Sequence, residues 1–571
     1  MDYKTKYTQW LEGDYFDQQT KEELQAISGD EEEIEERFYT DLDFGTGGMR
    51  GIIGAGTNRV NIYTIRKATQ GLANYIKKEG DKSKGVVISH DPRHMSREFA
   101  VEAALVLAAN GIKAYLFDDL RPTPQLSFAV RQLEATAGIM VTASHNPPEY
   151  NGYKVYWEDG AQVVSPHDTG IISEVNAIER FEQVKRVSKE EAEEEGLFEI
   201  IPSELDDDYI QTLKDLALKP ELITEAGSDF DIVFTPLHGT GNIPVQRIFE
   251  ELGFENLHVV PEQEEPDPEF STVDYPNPEE PAVFELAIEL AKQKDADLIM
   301  AHDPDADRVG IAVKDDQDEW SFLNGNQVGV LLTDYILNSS EQIPDNGVII
   351  KTIVTTEMIN PIAKDYNLEV LNTLTGFKYI GEKIKEFEDG KYDKEFIFGF
   401  EESYGYLYGT HARDKDAVVV TMLIAEMALY YQQQGSSIYQ EMSRLYEKYG
   451  YYREDLESLR KPGKEGKEQI EQILKDLRED SPQEINNQQV VIKKDYLVGK
   501  SYNLETEEEV ELDLPESNVL QFKLEDDSLV TVRPSGTEPK IKFYFSVVGE
   551  TEEIAGGKLV ALKDEMMELV E

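Results

Sequence analysis

The chain has 571 residues, of which 40% are hydrophobic and 30% are charged, a balance typical of a folded protein with several domains. Acidic residues number 114 against 56 basic ones, and the formal net charge of −58 disfavours binding to nucleic acid or anionic membranes. The absence of cysteine excludes disulfides, thiolate catalysis and cysteine-ligated metal sites.

Residues 1–19 lack the basic-then-apolar pattern of a secretory signal. The longest apolar stretch, 417–431, contains Glu426 and is short for a bilayer span, so a buried helix is the better prediction. We therefore expect a cytoplasmic protein. The acidic excess suggests adaptation to a salt-rich, halophilic cytoplasm, and the alternative is an ordinary, well-solvated acidic surface.

Apolar runs that predict strands alternate with helical segments along most of the chain, which favours parallel α/β architecture. In chain order the predicted strands are 85–89, 113–117, 138–143, 231–234, 257–260, 296–300, 347–353, 368–371 and 395–398. Helices predicted at 96–110, 243–252 and after Asp416 complete a rhythm that occurs three times. The C-terminal part instead combines a charged helix at 467–480 with shorter strands at 519–524, 529–532 and 541–548 and a final helix. It is predicted to be an α+β module.

The segment VTASHNPPEYNGYK (141–154) follows one of these strands. Ser144 is thus predicted on a loop at a strand's carboxyl end, where α/β folds bind ligands. Two prolines and Asn151-Gly152 predict a tight turn that presents the hydroxyl. His145 is not expected to serve as the base for Ser144, because adjacent side chains in extended backbone point to opposite sides. Taken alone, an ordinary turn serine is the alternative.

A second loop, HDPDADR (302–308), also follows an apolar strand. Asp303, Asp305 and Asp307 alternate, so a curved loop can bring three carboxylates to one hard cation such as Mg²⁺. A solvated acidic turn is the alternative, although three aspartates after a buried strand are costly without a cation.

Three further loops carry glycine, hydroxyl and charged groups. RPSGTEPK (533–540) combines cationic and hydroxyl side chains with a glycine, which suits a phosphate cradle, although a basic-rimmed hairpin is equally compatible. GFEESYG (399–405) suits hydrogen bonding to vicinal sugar hydroxyls, or it is an acidic loop that caps a helix. FGTGGMRG (44–51) only superficially resembles a dinucleotide loop, and no buried strand is predicted before it.

Basic residues are the minority in this chain, yet nearly every candidate loop contains one. These residues are Arg50, Lys154, Arg308, Lys378, Arg533 and Lys540. Their recurrence is the local inversion of charge that a phosphate-binding cleft requires.

The set of motifs resembles the α-D-phosphohexomutase superfamily, close to the bacterial phosphoglucomutase/phosphomannomutase type. The motifs TASHNP, DPDADR, GFEESYG and RPSGT occur in the order that the family shows, and the resemblance covers nearly the whole chain. It implies three related α/β domains and a C-terminal α+β domain around a central cleft. The expected domains span residues 1–205, 206–318, 319–455 and 456–571.

The resemblance also implies roles for individual residues. Ser144 would be the phosphoserine and a metal ligand, together with Asp303, Asp305 and Asp307. Arg50, Lys154 and Arg308 would stabilise the transferring group, and His145, Lys154 and Lys378 are candidates for proton transfer or orientation. Glu401 and Ser403 would hold sugar hydroxyls. The non-reacting phosphate would be bound by Arg533, Ser535, Gly536 and Thr537.

The implied reaction is interconversion of glucose 1-phosphate and glucose 6-phosphate, with Mg²⁺ as cofactor and glucose 1,6-bisphosphate as intermediate and activator. The alternatives are a phosphopentomutase or phosphomannomutase with the same mechanism, and a Mg²⁺-dependent sugar phosphatase in which Asp303 is the nucleophile. A non-catalytic sugar-phosphate-binding protein is a third class. The expected partner is a small sugar phosphate, with neither nucleic acid nor membrane, and the chain is expected to be a monomer or homodimer.

Overall fold

A computed structural model of the chain describes residues 2–45, 47–461, 463–535 and 540–570, apart from the side chains of 463–465 and 467. The chain opens with three short helices, α1 (Tyr3–Glu12), α2 (Gln18–Ala26) and α3 (Glu31–Phe38). Trp10 stacks on Phe16 with ring centroids 4.3 Å apart, and this aromatic cluster packs against Tyr63 of the first domain. None of the helices in the described ranges has the length and apolar composition that a bilayer crossing requires.

The first domain has a six-stranded sheet in the order β1-β5-β4-β2-β3-β6. Its strands are β1 (Gly48–Ile52), β2 (Val86–His90), β3 (Ala114–Leu116), β4 (Ala137–Val141), β5 (Tyr150–Trp157) and β6 (Phe198–Ile200). The accompanying helices are α4 (Ile62–Glu79), α5 (Ser96–Ala109), α6 (Thr123–Gln132), α7 (His167–Asn176) and α8 (Lys189–Glu194).

The second domain repeats this plan with a five-stranded sheet in the order β11-β10-β9-β7-β8. Its strands are β7 (Ile232–Thr235), β8 (Leu257–Val259), β9 (Leu298–His302), β10 (Val309–Lys314) and β11 (Trp320–Leu323). Its helices are α9 (Glu204–Lys214), α10 (Pro220–Ala226), α11 (Asn242–Leu252), α12 (Pro261–Glu264) and α13 (Glu285–Lys294).

The third domain has a four-stranded sheet in the order β13-β12-β14-β15. The strands are β12 (Gly347–Thr352), β13 (Glu369–Thr373), β14 (Glu395–Glu401) and β15 (Gly405–Tyr408). The helices are α14 (Gly325–Ser339), α15 (Ile359–Asp365), α16 (Lys378–Glu388), α17 (Ala417–Gln433) and α18 (Ile438–Tyr449). Helix α17 begins where Asp416 accepts hydrogen bonds from the amides of Val418 and Val419, and it is buried almost throughout, as its apolar sequence predicted.

The C-terminal domain is built on one larger antiparallel sheet in the order β16-β23-β22-β21-β18-β19-β20, with β17 paired to β18. The strands are β16 (Tyr451–Arg460), β17 (Glu484–Ile485), β18 (Gln488–Asp495), β19 (Lys500–Asn503), β20 (Glu509–Glu511), β21 (Leu520–Leu524), β22 (Leu529–Pro534) and β23 (Lys540–Gly549). Helices α19 (Gly463–Glu479) and α20 (Glu552–Val570) complete it, so the α+β prediction is confirmed.

The three α/β sheets are mixed rather than purely parallel. In each, the predicted strands pair in parallel, and one or two further strands join antiparallel at one edge. The sequence patterns missed those edge strands, and Asn151-Gly152 was wrongly predicted as a turn. Both residues lie within β5 and pair with β1, where Gly152 leaves no room for a Cβ because such an atom would lie 2.5 Å from the carbonyl oxygen of Thr142.

One strand lies just beyond a domain edge expected from the sequence, and another spans such an edge. Residues 320–323 form β11 and pair with β10 of the second domain, beyond the expected edge after residue 318. Strand β16, which spans the expected edge after residue 455, pairs along its whole length with β23. A strand's partner is not visible in its own apolar pattern, so neither pairing could be predicted from the sequence.

Candidate active site

Ser144 lies on the loop that follows β4, with its backbone in the left-handed region at φ +53°. The amide of Ser144 donates to Thr142 Oγ1 at 2.8 Å, which helps to hold this strained conformation. Ser144 Oγ donates to Asp303 Oδ2 at 2.6 Å and lies 3.2 Å from His145 Nδ1. The prediction that His145 faces away from Ser144 was therefore wrong, because it assumed extended backbone at Ser144. Burial and the charges of Arg308 and Arg50 lower the pKa of His145 and favour its neutral form.

Arg93, which the sequence motifs did not include, holds the Ser144 loop from below. Its guanidinium donates to the carbonyl oxygens of Ser144 at 2.5 Å, Pro147 at 2.7 Å and Tyr150 at 3.1 Å, and also to that of Asn146. Asp91 forms a fully buried ion pair with Arg93 at 3.2 Å. The only signal in the sequence was the position of Asp91-Pro-Arg93 directly after β2.

The three aspartates converge on the loop after β9 and are almost completely buried. Asp303 Oδ1 accepts from the amides of Asp307 at 3.1 Å and Arg308 at 3.0 Å, which curls the loop back on itself. One carboxylate oxygen from each aspartate lies within 4.8 Å of the others. The three carboxylates thus converge closely enough that they could hold one metal ion.

The donor set fits a hard divalent cation. Asp305 Oδ1 and Asp307 Oδ1 are buried without a hydrogen-bond partner among the described residues. Burial and the charges of Asp305 and Asp307 raise the pKa of Asp303, which reflects the cost of gathering three carboxylates in one enclosed place. An oxygen-binding cation such as Mg²⁺ would remove that cost and use the unpaired oxygens.

Cationic side chains from three domains surround the carboxylates. Lys154 Nζ lies 2.7 Å from Asp305 Oδ2 and 3.4 Å from Asp307 Oδ2, and although burial opposes it, Lys154 lowers the pKa of Asp305. Arg308 forms an ion pair with Glu279. Burial would lower the pKa of Arg308, but the charges of Glu279 and Asp307 raise it. Arg50 on β1 donates to Asn146 Oδ1 at 3.1 Å. Burial lowers the pKa of Arg50, and the negative charges of the three aspartates oppose that shift.

Lys415 also belongs to this cluster and was not predicted. Its Nζ lies 3.1 Å from Asp307 Oδ2, so it bridges the third domain to the metal loop of the second. The chain on either side of it is fixed, since Asp414 accepts from Tyr156 OH at 2.8 Å and Asp416 accepts from Tyr209 OH at 2.9 Å. A lysine between two aspartates ahead of an apolar helix was the available signal.

The predicted sugar loop lies at the end of β14. Glu401 is buried and accepts from the amide of Gly376 at 2.9 Å, and burial raises its pKa to about 7. Ser403 is half-buried on the following turn. Lys378 begins α16, and burial lowers its pKa while the charge of Asp168 opposes the shift.

The predicted phosphate cradle occupies the hairpin between β22 and β23. Arg533 pairs with Lys542 across the hairpin, and the amide of Ser535 donates to the carbonyl of Lys540 at 2.8 Å. Burial and the charges of Lys540 and Arg533 lower the pKa of Lys542, as expected where cations gather. Lys542 was not predicted. Gly536 and Thr537 lie outside the described residues.

Family models match three successive parts of the chain. They describe phosphoglucomutase/phosphomannomutase alpha/beta/alpha domains I, II and III and match residues 41–182, 207–317 and 324–449. The phosphoglucomutase of Staphylococcus aureus is 39% identical over 521 residues, covering 90% of this chain and 91% of that protein. The chain belongs to the phosphoglucomutase/phosphomannomutase family of α-D-phosphohexomutases. The phosphoglucomutase of Staphylococcus epidermidis is 37% identical over 534 residues, which cover 94% of both proteins.

Solved structures share the fold of this family member. A putative phosphomannomutase from Thermus thermophilus matches with a TM-score of 0.67 at 23% identity, covering 93% of this chain and 99% of that one. The phosphoglucomutase parafusin from Paramecium matches with a TM-score of 0.68 at 18% identity, covering 93% of this chain and 95% of that one. The predicted architecture of three α/β domains and a C-terminal β-rich domain is therefore confirmed.

Proposed function

We propose that this chain is a phosphoglucomutase that interconverts glucose 1-phosphate and glucose 6-phosphate through a phosphorylated Ser144. The observation that carries the proposal is the hydroxyl of Ser144, 2.6 Å from Asp303 within a buried, cation-ringed group of three carboxylates. The two staphylococcal relatives, which match nearly from end to end, are both phosphoglucomutases.

Mg²⁺ is the proposed cofactor, held by Asp303, Asp305 and Asp307 with an oxygen of Ser144. When bound, it would neutralise negative charge on the phosphoryl oxygens and on the oxygen of Ser144. Removal of divalent metal with EDTA should abolish turnover, and added Mg²⁺ should restore it. Full activity in the metal-free protein would contradict this assignment.

In the proposed transfer, the bond between phosphorus and Ser144 Oγ breaks as a new bond forms to a sugar hydroxyl oxygen. Arg50, Lys154 and Arg308 would balance the charge spread over the phosphoryl oxygens, and Lys415 would hold the metal loop with Lys154. The sugar hydroxyl must lose its proton in this step; His145, whose neutral form is favoured, is the proposed acceptor, and the departing oxygen of Ser144 takes up a proton. Although burial opposes the shift, Asp305 and Asp307 raise the pKa of Lys154, so Lys154 would act as a cation that orients the phosphoryl group. Lys378 would orient the substrate from the third domain.

The other end of the substrate would be held by the sugar loop and the hairpin cradle. Glu401 would accept hydrogen bonds from sugar hydroxyls, and Ser403 would accept or donate them. The phosphate that does not react would be bound by Arg533 and Ser535, together with Gly536 and Thr537. After the first transfer, glucose 1,6-bisphosphate would reverse its orientation within the cleft and transfer its other phosphate to Ser144. Its role as activator is to phosphorylate enzyme that has lost its phosphate.

The test is an assay of glucose 1-phosphate conversion with Mg²⁺ and catalytic glucose 1,6-bisphosphate, with mannose 1-phosphate and ribose 1-phosphate alongside. Fast glucose turnover supports the proposal. Faster ribose or mannose turnover would reassign the enzyme to phosphopentomutase or phosphomannomutase with the same mechanism. Stoichiometric release of inorganic phosphate would instead indicate a sugar phosphatase.

We also propose domain edges that follow the sheets, near residues 203, 324 and 450, since β11 pairs with the second sheet and β16 with the C-terminal sheet. A cytoplasmic location and adaptation to high salt remain predictions from composition. Running the assay at low and high KCl tests the second, because an enzyme adapted to salt should lose activity or fold when salt is removed.

A further inference from the structure

A cavity of about 370 Å³ lies between the third domain and the C-terminal sheet. None of the residues that line it belongs to the candidate active site. One wall is formed by β18, β21 and β22, and the other by the chain around the start of α15 and by β13. The cavity is large enough for a small metabolite.

The side chains of Lys494 and Gln521 lie on the face of the C-terminal sheet that packs against the third domain. These residues are direct partners across β18 and β21, so their side chains share a face. Gln521 Nε2 donates to the carbonyl of Ile353 at 3.0 Å across the interface. The neighbouring Lys493 points to the other face, where it donates to the carbonyl of Arg478 at 2.7 Å.

The ammonium group of Lys494 lines the cavity and makes no hydrogen bond or ion pair within the part of the chain that the structure describes. Glu357, whose charge acts on Lys494, is already engaged, since Oε1 accepts from Lys351 Nζ at 2.8 Å and Oε2 from Asn360 Nδ2 at 2.6 Å. Lys523 is paired with Asp527 at 2.7 Å. Burial lowers the pKa of Lys494; the charge of Glu357 offsets part of this shift, and the charges of Lys351 and Lys523 add to it.

The cavity lacks the acidic excess of the molecule as a whole. Its charged lining residues are Lys494 and Lys523 with Glu357 and Asp527, in a chain of net charge −58, and Glu357 is also paired with Lys351 behind the wall. The remaining walls are largely apolar and include Pro361, Tyr452 and Leu529. We propose that this cavity is a second ligand site, distinct from the active site, that binds a small organic anion through Lys494. The ligand would carry a phosphate or carboxylate on a ring or short apolar body.

Such a ligand would contact both the third domain and the C-terminal domain. Leu529, in the wall of the cavity, begins β22, and Arg533 of the phosphate cradle lies near the end of the same strand. A bound anion would therefore restrain the strand that presents the cradle. The inference does not depend on which sugar the enzyme prefers.

Pyridoxal 5′-phosphate is a suitable probe, because it joins a phosphate to an aldehyde on a small ring. Its aldehyde condenses with an unprotonated lysine amine and loses water, and borohydride reduces the resulting imine to a stable secondary amine. The reaction is run with the active site saturated by glucose 1,6-bisphosphate, and labelled lysines are mapped by peptide mass spectrometry. We expect Lys494 to be labelled several-fold faster than Lys493 and the surface residue Lys500, and inorganic phosphate to protect it. Labelling of Lys494 no faster than Lys500, or no protection by phosphate, would overturn the proposal.

Thermal unfolding provides the second measurement. With the active site saturated, inorganic phosphate should raise the Tm of the wild type and of Lys493→Met, but not that of Lys494→Met. Without phosphate, Lys494→Met should melt no lower than the wild type, since it removes a largely buried ammonium group that makes no hydrogen bond or ion pair among the described residues. Lys494→Gln serves the same purpose if the methionine variant does not fold. An undiminished phosphate effect in the Lys494 variant would overturn the site, and unchanged mutase activity keeps that failure separate from the proposed function.

Discussion

The two ends of the candidate active site differ in how completely the protein builds them. At the Ser144 end, three carboxylates, two lysines and the serine hydroxyl are enclosed and bonded to one another across three domains. At the hairpin end, Arg533, Ser535 and Lys542 are half-buried at the opening of one hairpin and gather positive charge.

This difference matches two kinds of task. Phosphoryl transfer needs charges fixed in advance, because reorganisation during the reaction would raise the barrier. In the proposed reaction, the hairpin end would bind one phosphate, release it and bind the other while the bisphosphate intermediate reverses its orientation. The domain cores fit this division, since one apolar cluster joins α17 to the first and second domains, whereas the C-terminal sheet has its own core. A domain with its own core can move as a unit.

The largest expected effect is at the enclosed end. Ser144→Ala should lower kcat by about 10⁴-fold or more, because it removes the group proposed to carry the phosphate. Intact-mass measurement after incubation with glucose 1,6-bisphosphate should show one phosphate on the wild type and none on the variant. Ser173→Ala, at an exposed position on α7 of the same domain, is the matched control. Full turnover by the Ser144 variant would show that phosphoryl transfer does not pass through Ser144.

Arg93 tests whether the Ser144 loop is held in place rather than merely filled. Arg93→Lys cannot donate to four carbonyl oxygens at once, and a displaced serine should lower kcat by about 10²-fold with little change in KM. Guanidinium added to Arg93→Ala should restore part of the activity. Arg97→Lys, which loses a bond to the carbonyl of Phe117 instead, is the control. A rise in KM at unchanged kcat would show that Arg93 serves binding and not positioning.

The open end should respond in the opposite way. Arg533→Ala would remove the charged hydrogen bond proposed for the phosphate that does not react, so KM should rise by about tenfold or more while kcat changes less. Steady-state kinetics with glucose 1-phosphate measures both. Lys500→Ala, on a surface hairpin of the same domain, should behave like the wild type. A loss confined to kcat would mean that the hairpin takes part in transfer and that the two ends are not functionally separate.

The smallest expected effect is a pH dependence at Glu401, which lies between the two ends. Because its pKa is raised to about 7, the carboxyl is mostly protonated below that value and ionised above it. The ionised form accepts hydrogen bonds from sugar hydroxyls better than the protonated form does. KM should therefore fall about three- to tenfold between about pH 6 and pH 8. Glu401→Gln should flatten this profile. A variant that keeps the same profile would assign the titration to another group.

The sequence by itself determined the chemistry of each loop and the repeated strand-and-helix rhythm. The motifs around Ser144, Asp303–Asp307, Glu401 and Arg533 each follow or join a predicted strand, and the structure places each at the end of a strand. These features are local, since apolar periodicity and loop composition are encoded within about ten residues. The same local signals predicted the buried helix after Asp416.

Only the tertiary structure decided which distant groups meet. The antiparallel edge strands, the reach of Lys415 to Asp307 and the four carbonyl bonds of Arg93 join segments far apart in the chain. The orientation of His145 depended on one backbone angle at Ser144, which no side-chain pattern encodes. Such contacts depend on how domains pack, and a single sequence records the residues that pack but not their partners.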